Sequence, residues 1–255
     1  MNYNINAKVL GYRELNKRVK DIIEKSPHSA NININDVCGQ KYIGDGIKAC
    51  SLIKIYGVPG NDLGAFMDGP QIEVYENAQD GTGNTMNSGK IIVYGDAGDI
   101  LGYSMRGGEI YVKGSVGYRA GIHMKAYKKK IPVIIIGGRA GDFLGEYMSG
   151  GVIIVLGQNA DRQRELSFDS TKEVVGNLVG TGMHGGTIYI KGKVSDYRLG
   201  KEVKKMPLDK MDLELLQDYV KNHQNFFGCG QLPDLENFTK LIPFSHRPYG
   251  KLYAY

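Results

Sequence analysis

The even spacing of methionine constrains this chain more than any other feature. Met67, Met86, Met105 and Met124 stand at one constant interval, and Gly64, Gly83, Gly102 and Gly121 keep the same interval. The triplets Ile72-Glu73-Val74, Ile91-Ile92-Val93 and Ile110-Tyr111-Val112 share it. The same slots return after two longer steps, first at Gly145, Met148 and Ile153-Ile154-Val155, then at Gly180, Met183 and Ile188-Tyr189-Ile190. A fixed period of about 20 residues marks a solenoid, whose repeats bury their apolar faces only against their neighbours.

One period, residues 98–116, holds three short extended segments separated by glycine corners. A Gly-x-x-x-Gly element recurs as Gly60/Gly64, Gly98/Gly102, Gly117/Gly121, Gly141/Gly145 and Gly176/Gly180. So short a coil closes only with sharp bends, and glycine reaches positive φ without steric penalty. The 36 glycines come without a collagen period and so point to turns. The expected fold is mainly β: a single-stranded, right-handed parallel β-helix of about 19 residues per coil and at least seven coils. It spans 51–195, between an N-terminal helix and lead-in (1–50) and a C-terminal helix and aromatic tail (196–255).

Strand side chains alternate, so the outer members of each triplet face inward, from Ile53/Ile55 to Ile188/Ile190, and the methionines form a core ladder. The middle slot faces out and turns apolar from the third rung: Ile92, Tyr111, Ile135, Ile154, Tyr189. Such a face needs cover, either from the terminal helices or from a partner, and these five residues are the partner-facing candidates. Apolar residues at helical spacing predict helices over 12–25 and 208–221, the second with Met211, Leu215, Leu216, Tyr219 and Val220 on one side. Asn31 to Asn35 alternates like a half-buried strand. The tail, with Phe238, Phe244, Tyr249, Tyr253 and Tyr255, is too aromatic to hang free. Insertions interrupt two coils, one of them lysine-rich (Lys125, Lys128, Lys129, Lys130) and read as a solvated loop.

Reactive constellations are hard to find. His28, His123, His184, His223 and His246 make no metal-ligand spacing, and Cys229 in its Gly-Cys-Gly setting has no nameable base. Each GxG fragment is followed by a strand rather than a helix, so these are read as turn glycines in preference to a dinucleotide fingerprint. The slot Asn61, Asp80, Asp99, Tyr118, Asp142, Asn177 approaches a calcium repeat, but the interval between coils does not match a nonapeptide period. A net charge of +5 without a Lys/Arg run among aromatics argues against nucleic acid. The N-terminus lacks the order of a signal peptide, no apolar run spans a bilayer, and three scattered cysteines (Cys38, Cys50, Cys229) fit a reducing cytoplasm.

The run GQKYIGDG at 39–46, followed by repeats of the form G-D-x-L-G-x-x-M-x-G-G-x-I-x-V-x-G, resembles the GXGXG β-helix domain of the glutamate synthase large subunit. It is also similar to the β-helical subunit of formylmethanofuran dehydrogenase. A stand-alone chain of this kind resembles the split glutamate synthases. The resemblance implies a non-catalytic domain that holds catalytic domains in place while glutamine nitrogen passes to 2-oxoglutarate. It places FMN and the iron–sulfur cluster on partner subunits, with no catalytic, cofactor or metal residue in this chain. The implied partners are the glutaminase and the FMN/iron–sulfur synthase polypeptides, with homo-oligomers also compatible. One alternative is the corresponding scaffold of a molybdenum or tungsten enzyme of the formylmethanofuran dehydrogenase kind. Another is an independent β-helix enzyme or binding protein, which the single outward acid, Glu73, disfavours.

Overall fold

The computed structural model describes residues 1–26, 30–158, 173–228 and 233–245. Nine strands stack in parallel, in chain order, each a rung of one sheet. They are β1 (Asn2–Asn6), β2 (Asn31–Cys38), β3 (Leu52–Val58), β4 (Asp68–Val74), β5 (Ser88–Val93), β6 (Glu109–Val112), β7 (Val133–Ile136), β8 (Ser149–Val155) and β9 (Gly185–Lys191). The triplets pair as their spacing requires: Ile53 on Ile72, Ile72 on Ile91, Ile91 on Ile110, Ile110 on Ile134, Ile134 on Ile153, Ile153 on Ile188. A second side of the coil stacks through single bridges, Ala78 to Ala97 to Val116 to Ala140 to Val175.

The lead-in segment contributes two further rungs. β1 pairs with β2, and β2 sets Ile32 and Ile34 on Ile53 and Ile55. Between them α1 (Tyr12–Lys25) packs Leu15, Val19 and Ile23 into the same core as the inward isoleucines. Beyond β9 the direction reverses, a turn that the repeat does not foreshadow. β11 (Phe238–Pro243) lies antiparallel on β9, and β10 (Val203–Met206) antiparallel on β11. No helix among the described residues is long and apolar enough to cross a membrane.

Met67, Met86, Met105, Met124, Met148 and Met183 are fully buried, one per coil, beside the isoleucine stacks. The glycine pairs divide into two kinds. Gly64, Gly83, Gly102, Gly121, Gly145 and Gly180 have φ between 65° and 73°. Gly60, Gly98, Gly117, Gly141 and Gly176 do not lie at positive φ, which corrects the common role expected for both members. At Gly98 a Cβ would strike the Asp80 carboxylate, and at Gly117 that of Asp99. The requirement there is close approach.

Candidate interaction surface

The coil presents three outward surfaces, each dictated by the repeat. The first is the outward side of the triplets. There Ile92, Tyr111, Ile135, Ile154 and Tyr189 are at most 3% exposed, and they form a second core with Leu216, Val220, Phe227 and Phe238. The cover is the chain's own helix α2 (Lys210–Phe227), so the partner-facing assignment of these five residues gives way to intramolecular packing. α2 starts at a capping box between Asp209 and Asp212 and stops at Gly228 in left-handed conformation. It runs nearly two turns past the expected end, and Met211 is exposed rather than on the buried stripe.

Polar contacts fix α2 at both ends. The Tyr189 hydroxyl donates to Asp212 at 2.5 Å, and Lys240 of β11 reaches the same carboxylate at 2.6 Å. Burial opposes ionisation of Asp212, but Lys240, Tyr189 and the Asp209 amide hold its carboxyl below the usual range. Burial and the Asp212 charge push the Tyr189 hydroxyl up. At the far end His223 is buried against Phe227, with Nε2 at 3.1 Å from the Val112 carbonyl and Nδ1 without a partner. The carbonyl only accepts, so Nε2 carries the proton. Burial pushes this imidazole down to about 4.

The second surface is a corner of acidic and amide side chains. Each oxygen accepts a backbone N–H from the coil above: Asn77 from Asp96, Asp96 from Ser115, Asp80 from Asp99, Asp99 from Tyr118, Asp142 from Asn177. Asp80, Asp99 and Asp142 of the near-calcium slot are therefore occupied in satisfying corner amides, beside a second column formed by Asn77 and Asp96. No group of three His, Cys, Asp or Glu among the described residues is arranged to hold a metal ion. Cys38 and Cys50 are free and exposed. His28, His246, Cys229, Tyr249, Tyr253, Tyr255 and most of the longer insertion lie outside the described residues. Of the lysine-rich insertion, Lys130 is tied to Asp68 at 3.2 Å. A depression of about 430 Å³ lies between α1 and the Tyr42–Asp45 loop.

The third surface is the corner around Gly64, Gly83, Gly102, Gly121, Gly145 and Gly180. Two flanking columns take left-handed φ from rung to rung. One runs Asp62, Gly81, Ile100, Arg119, Phe143, Leu178, and the other Phe66, Thr85, Ser104, His123, Tyr147, Gly182. Glycine occupies one rung of each, so the backbone accepts glycine there, yet most rungs display a larger side chain. For residues with a Cβ this conformation costs about 1–2 kcal/mol. Ile100, at φ 52°, is β-branched and fits worst. Several of the side chains project toward solvent, Phe66 being 52% exposed, Leu178 43% and Tyr147 37%, while Ile100 and Phe143 are half-buried. They also organise one another. The Tyr103, His123 and Tyr147 rings follow at 6.0 and 5.3 Å, and Arg119 lies over Phe143 at 4.9 Å while bonding Glu146 at 2.9 Å. This aromatic corner is the candidate interaction surface. The expectations drawn from sequence miss it, although aligning the repeats sets Ile100 against Gly81 and Tyr147 against Gly182.

Comparison with known proteins agrees with this architecture. The chain is 46% identical over 257 residues to "Uncharacterized protein MJ1350" of Methanocaldococcus jannaschii, covering 98% of this chain and 95% of that protein. Among solved structures it is similar to a chain of the formyltransferase/hydrolase complex (FhcABCD) from Methylorubrum extorquens, solved with methylofuran. That likeness has a TM-score of 0.56 at 21% identity and covers 75% of this chain and 66% of that one, so it concerns the fold. The family model described as "GXGXG motif" matches residues 11–243, from the turn before α1 to the last strand. With the repeat, the corner glycines and nearly all the secondary structure inside that match, the chain belongs to the GXGXG family.

Proposed function

We propose that this chain is a non-catalytic assembly subunit of a multi-subunit enzyme, with the aromatic corner as its docking surface. The observation that carries the reading is the set of side chains held at left-handed φ, with Leu178, Phe66, His123 and Tyr147 exposed and Ile100 and Phe143 half-buried beside them. Displaying them costs folding free energy that glycine at those rungs would not. A surface that keeps such residues is being used for contact. The stacked coils suit that role, since rungs locked in register hold bound domains at fixed separation.

The enzyme we assign is of the glutamate synthase type, in the cytoplasm, with glutaminase and FMN/iron–sulfur polypeptides as partners. The support is the family and the resemblance of a stand-alone GXGXG chain to split glutamate synthases. FMN and the cluster then belong to those partners. A second reading, a scaffold in a formylmethanofuran dehydrogenase-like complex, draws on the fold shared with the Methylorubrum complex.

The test is affinity purification from the native cell under mild salt, with identification of the co-purifying polypeptides and their cofactors. Flavin and glutaminase polypeptides support the first reading, and molybdopterin subunits the second. Replacing Tyr103 and Tyr147 by Ser lowers that co-recovery about tenfold or more without changing the melting temperature. A chain recovered alone, with its own turnover, overturns both readings.

A further inference from the structure

The two ends of the solenoid are finished differently. At the C-terminal end the outermost strand, β10, carries Lys204 and Lys205 and is followed at once by Pro207. Lysine and proline on an edge strand stop a sheet from adding strands. At the N-terminal end β1 is outermost, and its sequence NYNIN has no charge and no proline. Its pairing with β2 runs without a bulge from Asn2↔Asn31 to Asn6↔Asn35.

The bonds from Asn31 N–H to the Met1 carbonyl (2.9 Å) and from Ala7 N–H to the Asn35 carbonyl (2.8 Å) show which side faces β2. It is the odd-numbered side. The N–H and C=O groups of Asn2, Asn4 and Asn6 therefore point away from the sheet, where no strand lies among the described residues.

We propose that a second copy of this chain occupies this edge, the two β1 strands pairing antiparallel about a two-fold axis at Asn4. Such a pair requires a strand to match its own reverse. β1 does: Asn4 meets Asn4, Asn2 meets Asn6, and each pair exchanges both of its backbone bonds. On the inward face Tyr3 lies opposite Ile5 of the other copy, an aromatic against a β-branched side chain. On the outward face, amide bonds already join Asn31 to Asn2 at 3.2 Å and Asn33 to Asn4 at 3.0 Å. An amide both donates and accepts, so this ladder continues across the junction, as rows of lysine or carboxylate could not. Because the strand is short, the association is weak, roughly micromolar.

The experiment is sedimentation velocity on the full chain from about 1 to 100 µM, with amide hydrogen exchange at the lowest and highest concentrations. The expected result is a dimer that grows with concentration, together with slowed exchange of the Asn2, Asn4 and Asn6 amides. Asn4→Lys sets two like charges on the axis and weakens the dimer tenfold or more, with an unchanged melting temperature. A monomer throughout, exchange independent of concentration, or a dimer indifferent to Asn4→Lys overturns the proposal. Should that variant misfold, the exchange data on the unmodified chain decide. Protection of these amides only on addition of another polypeptide gives the edge to that partner and defeats self-pairing.

Discussion

Exchanging Ile100 for Gly and for Ala separates backbone strain from side-chain packing. Ile100 has φ 52°, and its N–H donates to the Tyr118 carbonyl at 2.8 Å, so the coil above holds the conformation in place. Both variants lose the same half-buried side chain beyond Cβ. Ala keeps a Cβ and with it the left-handed penalty of about 1–2 kcal/mol. Gly escapes that penalty but loses about 0.5–1 kcal/mol more chain entropy on folding. The difference leaves Gly about 0.5–1 kcal/mol more stable than Ala, the reverse of their order in an ordinary strand. For a chain of this length that is about 1–4 °C in melting temperature. Urea unfolding with matched m-values, alongside thermal melts, measures it. An Ala variant equal to or more stable than Gly would refute the strain argument, and with it the reason for reading the aromatic corner as functional. Both variants should reduce partner recovery, because both remove the displayed side chain.

Two further outcomes follow from the core and from α2. Gly102 has φ 65°, and an added Cβ would lie 2.6 Å from Cδ1 of the fully buried Ile134. Gly102→Ala should therefore cost about 2–4 kcal/mol by denaturant unfolding, and Ile134→Val in that background should recover part of it. His223 is held neutral, its folded value of about 4 lying below the unfolded 6.5. Its contribution is thus complete above the unfolded value and is lost as pH falls toward the folded one, a change of roughly 3 kcal/mol. His223→Gln, which keeps a donor for the Val112 carbonyl, should flatten that part of the stability–pH curve. Parallel curves for the two proteins would contradict the burial of a neutral imidazole.

What the sequence discloses of this fold follows from arithmetic, and what it hides follows from packing. Register from Ile53 to Ile190 is legible because the residues recur at fixed spacing, and a one-residue slip would turn every inward isoleucine out. β1 and β2 escape that logic. Ile32 stands further before Ile53 than one period allows, and α1 interrupts the chain between Ile5 and Ile34, so neither rung keeps the beat. β11 carries no phase at all, and its place on β9 depends on pairing between distant segments. The column Ile92, Tyr111, Ile135, Ile154, Tyr189 is legible as outward and covered. Period two fixes the side of a sheet but not its neighbour. The matching signal sits in Leu216, Val220, His223 and Phe227, a stripe at helical spacing that falls on those residues. Its last members lie in Asn222–Phe227, whose modest helix propensity hides the final turns.

The corners show why a repeat motif under-determines its own physics. One Gly-x-x-x-Gly spacing serves two unrelated needs. Gly98 and Gly117 are glycine because the carboxylates of Asp80 and Asp99 cross the space a Cβ would fill to reach backbone N–H groups one coil on. Gly102 and Gly121 are glycine because the chain turns left-handed above a buried isoleucine. In the flanking columns the backbone is equally left-handed, and at Gly81 and Gly182 a Cβ would also strike Asp62 and Tyr147 of the coil before. At the other rungs a residue with a Cβ is strained without being impossible. Gly81 and Gly182 thus answer a close approach, whereas Ile100 and Tyr147 keep larger side chains at the same left-handed φ. The columns where the chain keeps strained side chains in place of glycine converge on one exposed aromatic corner, which is what the contact proposed for it would use.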